Sequence, residues 1–271
     1  MLFHFIGAYT ELKSINKYAG LIPIFAIVLT LIVELALGLR GQYVFNPPFL
    51  FLALNLIFVV GVSLFTGYLS AKGYLLTGSL TLLFFALSFI LLVIMSTFNG
   101  LFGNFSPDWA VTEAAIALLL FSAFQAFAGF QASFRSVPIG SEHRKARLTS
   151  SSLFVVFLSV LLTSLTRLDV FPPFFVSGLG VTLIDQIVYA IAILFLSVSC
   201  TLFLRLYLKS KSNVIYWYSL GLAIEAIGLC GATLQVQFSD IVVWTGRVGV
   251  YLAFIYFLIA LLSSGKSKNS V

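Results

Sequence analysis

The sequence predicts an all-α fold, a polytopic membrane helix bundle of about eight transmembrane helices that takes residues 1–271 as a single transmembrane domain. Two observations carry that prediction. Apolar runs of about twenty residues recur along the whole chain, each long enough to cross a hydrocarbon core of about 30 Å as a helix. Charged residues make up only 9% of the chain and hydrophobic ones 61%, against roughly 25% charged in a soluble domain. No stretch is left over for a soluble catalytic domain.

The spans fall at residues 20–39, 48–69, 74–97, 110–134, 150–166, 184–207, 214–236 and 241–263, each an apolar window between polar punctuation. The first follows Lys13 and Lys17 and begins like a signal peptide, but its apolar run is too long and lacks a small-residue cleavage site, so it is read as an anchor. The fifth is the shortest and is rich in Ser and Thr. Cys200 and Cys230 lie inside apolar segments, where a cysteine acts as a small core residue rather than half of a disulfide or metal pair.

Basic residues orient the bundle. With the N-terminus inside, twelve of the fifteen Lys and Arg residues lie on the inner side; Arg40 and Arg167 fall outside and Arg247 within a span. The outer loops carry Asp108, Asp169 and Asp240 instead. The expected location is therefore the cell membrane, with both termini cytoplasmic. The formal charge of +6 sits in short loops that fix topology, so it does not imply nucleic acid. The basic loop Arg135 to Arg147, with Ser136 and Ser141, is first a topology determinant and second a site for anionic lipid or an acidic partner. Trp109, Tyr216, Trp217, Tyr218 and Trp244 lie near span ends, where amphipathic rings favour the interface.

Two outer loops resemble each other. Arg40, Val44, Phe45, Asn46, Pro47, Pro48 and Phe49 run parallel to Arg167, Val170, Phe171, Pro172, Pro173 and Phe174. Fainter echoes link Tyr68, Leu69 and Lys72 with Tyr207, Leu208 and Lys211, and Phe105, Ser106 and Thr112 with Phe238, Ser239 and Thr245. In order, they suggest four helices repeated twice in one orientation, over residues 20–134 and 150–263. Chance similarity among apolar sequences is the competing explanation.

Charge inside a membrane is costly, so Glu34, Glu225 and Arg247 are the informative residues. Arg247 lies roughly 10 Å below the outer end of its helix and Glu34 roughly 7 Å below the end of its own, at about 1.5 Å per residue. Glu225 sits deeper, within the lean of a long Arg side chain, so either carboxylate is a candidate partner for Arg247. Such a pair is either structural or part of a ligand or proton site. Asn55, Glu113, Asp185, Gln186 and Gln235 fall at similar depth and would line an outward-facing cavity if they share the bundle interior; Glu113, Asp185 and Gln235, close to span ends, read first as interfacial. Asn55 is alternatively packing glue between helices. Trp244 and Tyr251 share one helical face with Arg247, three residues before it and four after. A guanidinium flanked by aromatic rings suits an anionic or aromatic ligand, and is also a common way to pack an Arg.

His4 and His143 lie outside the expected spans, so no histidine pair is available for a membrane haem or a metal cluster. No Lys lies inside a span to attach retinal, and no Walker loop or zincin motif is present. No enzyme activity, cofactor or metal is expected.

The string Pro172-Pro173-Phe174-Phe175, Gly178, Gly180, Thr182, Gln186, then Arg205-Leu206-Tyr207, Tyr216-Trp217-Tyr218-Ser219-Leu220-Gly221-Leu222, Trp244, Gly246-Arg247 and Tyr251 resembles the multi-helix membrane-embedded sensor region found upstream of PAS and histidine-kinase modules in archaeal and bacterial signalling proteins. Asn46-Pro47-Pro48-Phe49, Asn55 and the turn from Tyr68 to Ser79 look similar, so the resemblance covers about residues 40–262. It implies detection of something at or within the membrane and transfer of a conformational change to a cytoplasmic output. The chain departs from that pattern by reaching Val271 without a PAS fold, a phosphoacceptor histidine or an ATP-binding domain. It is expected either as a stand-alone relative acting on a separate partner or as a sensor region of a longer protein.

The functional expectation is a sensor or signalling-input module that binds a small or lipophilic ligand through Arg247, Glu34, Glu225, Asn55, Trp244, Tyr251 and Gln186. The rival readings are a small transporter with alternating access and a structural subunit of a larger membrane complex. The partners expected are the lipid bilayer, a cytoplasmic signalling protein and a second copy of the chain, with nucleic acid excluded.

Overall fold

The computed structural model describes residues 17–44, 47, 49–102, 105–134 and 138–264. His4, Lys13, Arg135, Ser136, Lys266 and Lys268, and Phe45, Asn46 and Pro48 of the first repeated loop, lie outside the described residues. Among the described residues eight helices are long and apolar enough to cross a membrane, as a polytopic helix bundle requires. They are α1 (Ile22–Ala36, entered through the 3-10 turn Lys17–Leu21), α2 (Leu50–Thr77), α3 (Leu80–Phe102), α4 (Pro107–Ser133), α5 (Ser141–Arg167), α6 (Leu183–Ser210), α7 (Asn213–Ala232) and α8 (Ile241–Ser264). A two-stranded antiparallel hairpin, β1 (Phe175–Val176) and β2 (Gly180–Val181), is the β structure in the connection between α5 and α6.

Local chemistry explains the helix ends. Pro23 sits in the first turn of α1, where its missing N–H costs nothing. Gly38, with φ of +66°, ends the same helix: Gly38 N–H donates to Leu35 O and Leu39 N–H to Glu34 O, so two carbonyls that the helix leaves open are satisfied. Pro107 opens α4 behind the capping hydroxyl of Ser106, and the Thr182 hydroxyl caps α6. Gly78, with φ of +74°, closes α2 against the backbone of Ile139, where any Cβ would overlap the Ile139 carbonyl.

Two helices run furthest beyond their expected apolar windows. α5 begins at Ser141 instead of residue 150, because Glu142, Arg144, Lys145, Ala146 and Arg147 form helix readily and the backbone ladder does not stop at the edge of the apolar zone. His143, expected outside the spans, therefore lies in the exposed first turn of α5. α2 continues to Thr77 instead of residue 69, until Gly78 turns the chain. The guanidinium of Arg144 fastens this end of the bundle by donating to Ile139 O at 2.7 Å and Leu76 O at 2.7 Å.

α2, α3, α4, α6, α7 and α8 close a ring in that order. α1 packs outside it against α7 and α8, and α5 packs outside it against α3, α2 and α4. The outer helices bury only a stripe: α1 turns Ile27, Leu31 and Glu34 inward and leaves Phe25, Leu29 and Ile32 exposed, as lipid contact demands. The tightest seam joins α7 to α8, where Gly228 and Gly231 face Gly246 and Gly249. A Cβ at Gly228 would stand 2.7 Å from Gly246 O, and one at Gly231 2.9 Å from Gly246 Cα, so glycine lets the two backbones touch.

Tyr216, Trp217 and Tyr218 depart from the interfacial expectation. All three are buried, and the Tyr218 hydroxyl donates to Gln125 Oε1 at 2.5 Å, because α7 is an inner helix and its aromatic end packs against α6 and α8. Cys230 departs too: it is exposed, while Cys200 donates weakly to Ser219 O at 3.3 Å, and both are free thiols.

Candidate functional site

Inside the ring, at the end that carries the α1–α2, α3–α4, α5–α6 and α7–α8 connections, lies a cavity of about 120 Å³. Six elements supply its polar groups: Asn55 from α2, Ser96 and Asn99 from α3, Glu113 from α4, Tyr189 from α6, Gln235 from the α7–α8 connection, and Arg247 and Tyr251 from α8. Arg247 in α8 and Glu113 in α4 are each six residues in from the helix start, so both lie roughly 9 Å below that end. Deeper walls are apolar, with Val59, Leu92, Met95 and Phe254.

The backbone of α2 is irregular where it meets this cavity. Residues Asn55–Gly61 form a π-helical turn between the α-helical stretches Leu50–Leu54 and Val62–Thr77. Such turns concentrate at functional sites because they re-aim side chains within a continuous helix. Asn55 Oδ1 accepts a hydrogen bond from the Tyr251 hydroxyl at 3.2 Å, and Phe58 stacks on the Tyr251 ring at 5.7 Å. The turn thus joins α2 to α8 one helical turn below Arg247.

Arg247 is enclosed by rings. Its guanidinium carbon lies 4.8 Å from the Phe51 centroid, 4.9 Å from Phe238 and 5.1 Å from Trp244. Arg247 Nη2 donates to Phe238 O at 3.1 Å, while Nη1 is buried with no hydrogen-bond partner among the described residues. No carboxylate stands within ion-pair distance of it among the described residues. Asp240, near the start of α8, accepts instead from the N–H groups of Val236, Gln237 and Val243.

The expected pairing of Arg247 with Glu34 or Glu225 is therefore corrected. Glu34 is buried, but its Oε1 accepts from the Thr245 hydroxyl at 2.6 Å. Thr245 and Arg247 are two positions apart, which turns them about 200° away from each other on the helix, so α8 cannot present both to α1. Glu225 is fully buried, and neither oxygen finds a partner among the described residues. Side chains tilt toward the N-terminus of their own helix, and α7 and α8 run in opposite directions, so Glu225 and Arg247 lean apart.

Of the residues singled out from the sequence, the cavity brings together Arg247, Asn55 and Tyr251, and with them Glu113 and Gln235. Trp244 stacks on Arg247 from outside the lining. Glu34 and Glu225 are buried elsewhere, and Gln186 is exposed on α6, whose inward stripe is held by its neighbour Asp185 and by Tyr189.

Glu113 and Arg167 form the ion pair the sequence did not suggest. Arg167 Nη2 meets Glu113 Oε2 at 2.9 Å, and Glu113 Oε1 accepts from Thr163 at 2.8 Å. Glu113, Asp185 and Gln235 are all buried rather than interfacial, because the connections fold over the helix ends: Asp108 accepts from Phe174 N–H and Phe175 N–H, and Val44 N–H donates to Ser239 O. Sequence reasoning also missed Phe51, Phe238 and Asn99, which no local spacing ties to Arg247.

No family model, curated protein or solved structure matches the chain.

Proposed function

We propose that this protein is a membrane-embedded sensor or signalling-input module that binds a small or lipophilic ligand beside Arg247. One observation carries the reading: a half-buried arginine, its guanidinium held between three rings with no carboxylate at ion-pair distance among the described residues, lines a cavity with one buried nitrogen unpartnered. Burying a charge without a counter-charge costs several kcal/mol, roughly, and such an arrangement is explained by a ligand that completes it. The role is binding, not catalysis, since the one lining carboxylate is engaged by Arg167 and Thr163. With both termini cytoplasmic, as the basic residues argue, the cavity opens outward. The resemblance to sensor regions upstream of PAS and histidine-kinase modules supplies the output: a cytoplasmic partner reads a shift between two bundle arrangements that the ligand favours unequally.

A thermal-shift screen of the purified protein with lipids, quinones, small organic anions and common metabolites tests this. A compound that stabilises the wild type but not Arg247→Ala supports it. The absence of any stabiliser contradicts it and favours a structural subunit.

Transport is the second reading, supported by the packing. The first helix of each proposed four-helix half rests on the third and fourth helices of the other, α1 on α7 and α8, α5 on α3 and α4 and in addition on α2, which supports a parallel repeat. Asn99→Cys, in a chain with Cys200 and Cys230 replaced by Ala, discriminates the two. A sensor is modified by a membrane-impermeant thiol reagent from one side of a vesicle only; a transporter is modified from either side.

A further inference from the structure

Resting on that binding reading, we infer that the ligand is a monocarboxylate with an apolar body, its carboxylate seated on Arg247 and Gln235. Three polar atoms of the cavity lining are buried without a hydrogen-bond partner among the described residues: Arg247 Nη1, Gln235 Nε2 and Asn99 Oδ1. Gln235 and Asn99 are each only 4% exposed, so water does not relieve them from outside the bundle. Two of the three are donors, and one of those is cationic. A carboxylate accepts from both, and its charge meets the guanidinium in surroundings of low dielectric, where charge-assisted hydrogen bonds are strong.

The charge of the site selects a monoanion. Glu113 is the one acidic group among the lining residues, and Arg167 compensates it. Asp240 acts on Arg247 electrostatically without reaching ion-pair distance, its oxygens held by the N–H groups of its own turn, and Glu34, Asp185 and Glu225 lie outside the lining. That leaves the single charge of Arg247. A phosphate dianion would bring more charge than the one lining cation can meet. Beside the hydroxyls of Ser96 and Tyr189, the walls formed by Val59, Leu92, Met95, Val250 and Phe254 are apolar and suit an alkyl or aryl body. Asn99 Oδ1 is left to accept from a hydroxyl on that body. A soluble short-chain or aromatic acid and a bilayer fatty acid share this chemistry.

The test uses the full-length protein in detergent, with benzoate, hexanoate and myristate set against benzamide, hexanol and hexylamine in calorimetric titration. At least one acid is expected to bind about tenfold or more tightly than the neutral compound of similar body, the scale of one charge-assisted contact. Arg247→Gln and Gln235→Glu are each expected to lose that margin, the second by placing a negative charge where the donor stood. Strength in benzoate and hexanoate marks a soluble acid and strength in myristate a lipid-derived one, and each upholds the inference. Equal binding of acid and amide, sensitive to Arg247→Gln, overturns the carboxylate while leaving the Arg247 site in place. Binding of none of the six overturns it as well; a hit among other compounds in the broad screen then preserves the binding reading alone.

Discussion

Two arginines sit at the same end of this bundle and are solved in opposite ways. Arg167 closes α5 on Glu113, with Trp109 against its guanidinium at 5.1 Å. Arg247 opens onto a cavity, held by three rings and a backbone carbonyl. An ion pair supplies its own counter-charge and fixes two helices. A ringed cation without a counter-charge holds its position through its neighbours yet keeps its charge available. On the proposed binding reading, intramembrane charge in this chain serves two ends, bundle architecture and recognition, and the partner rather than the residue type separates them.

The largest effect should come from breaking the architectural arginine. Glu113→Ala leaves Arg167 without its carboxylate and is expected to cost about 3–5 kcal/mol, read as a large fall in the midpoint of thermal or denaturant unfolding; replacing both partners by Leu and Met should recover most of it. A smaller loss, about 1–3 kcal/mol, is expected for Gly246→Val, which drives α7 from α8 at the seam beside Arg247. Removing the Glu34 contact with Thr245→Val should cost about 1–3 kcal/mol or less and leave ligand affinity unchanged, since that pair faces α1. The smallest stability effect belongs to Arg247→Gln, which forfeits cation–π attraction of about 2 kcal/mol but also relieves an uncompensated charge. An Arg247→Gln variant that unfolds as readily as Glu113→Ala would erase the distinction between the two arginines.

How much of this was legible depends on whether the signal is local. The eight spans follow from apolar runs that are long in themselves, and the Trp244–Arg247 stack from residues one turn apart. The cage is different. Phe51 and Phe238 reach Arg247 from α2 and from the α7–α8 connection, and only the ring of helices brings them together. Glu113 and Arg167 were each readable as residues at a span end, yet their partnership spans 54 positions of sequence. Composition could not show the connections folding over the helix ends, which is what buries Glu113, Asp185 and Gln235. The π turn at Asn55 has no sequence signature, since its residues form ordinary α-helix equally well. The pairing expected between Arg247 and Glu34 or Glu225 rested on depth alone; depth says nothing of azimuth, and azimuth turns Glu34 to Thr245.

The measurement that bears most directly on the contrast is equilibrium binding of a radiolabelled carboxylate to three forms of the full-length protein: wild type, Arg247→Gln, and the double variant Arg167→Gln with Glu113→Gln. If Arg247 is the recognition residue and Arg167 the architectural one, binding disappears in the single variant and persists in the double variant. Binding that survives Arg247→Gln, or that vanishes only when the Arg167 and Glu113 charges are removed, would contradict the assignment.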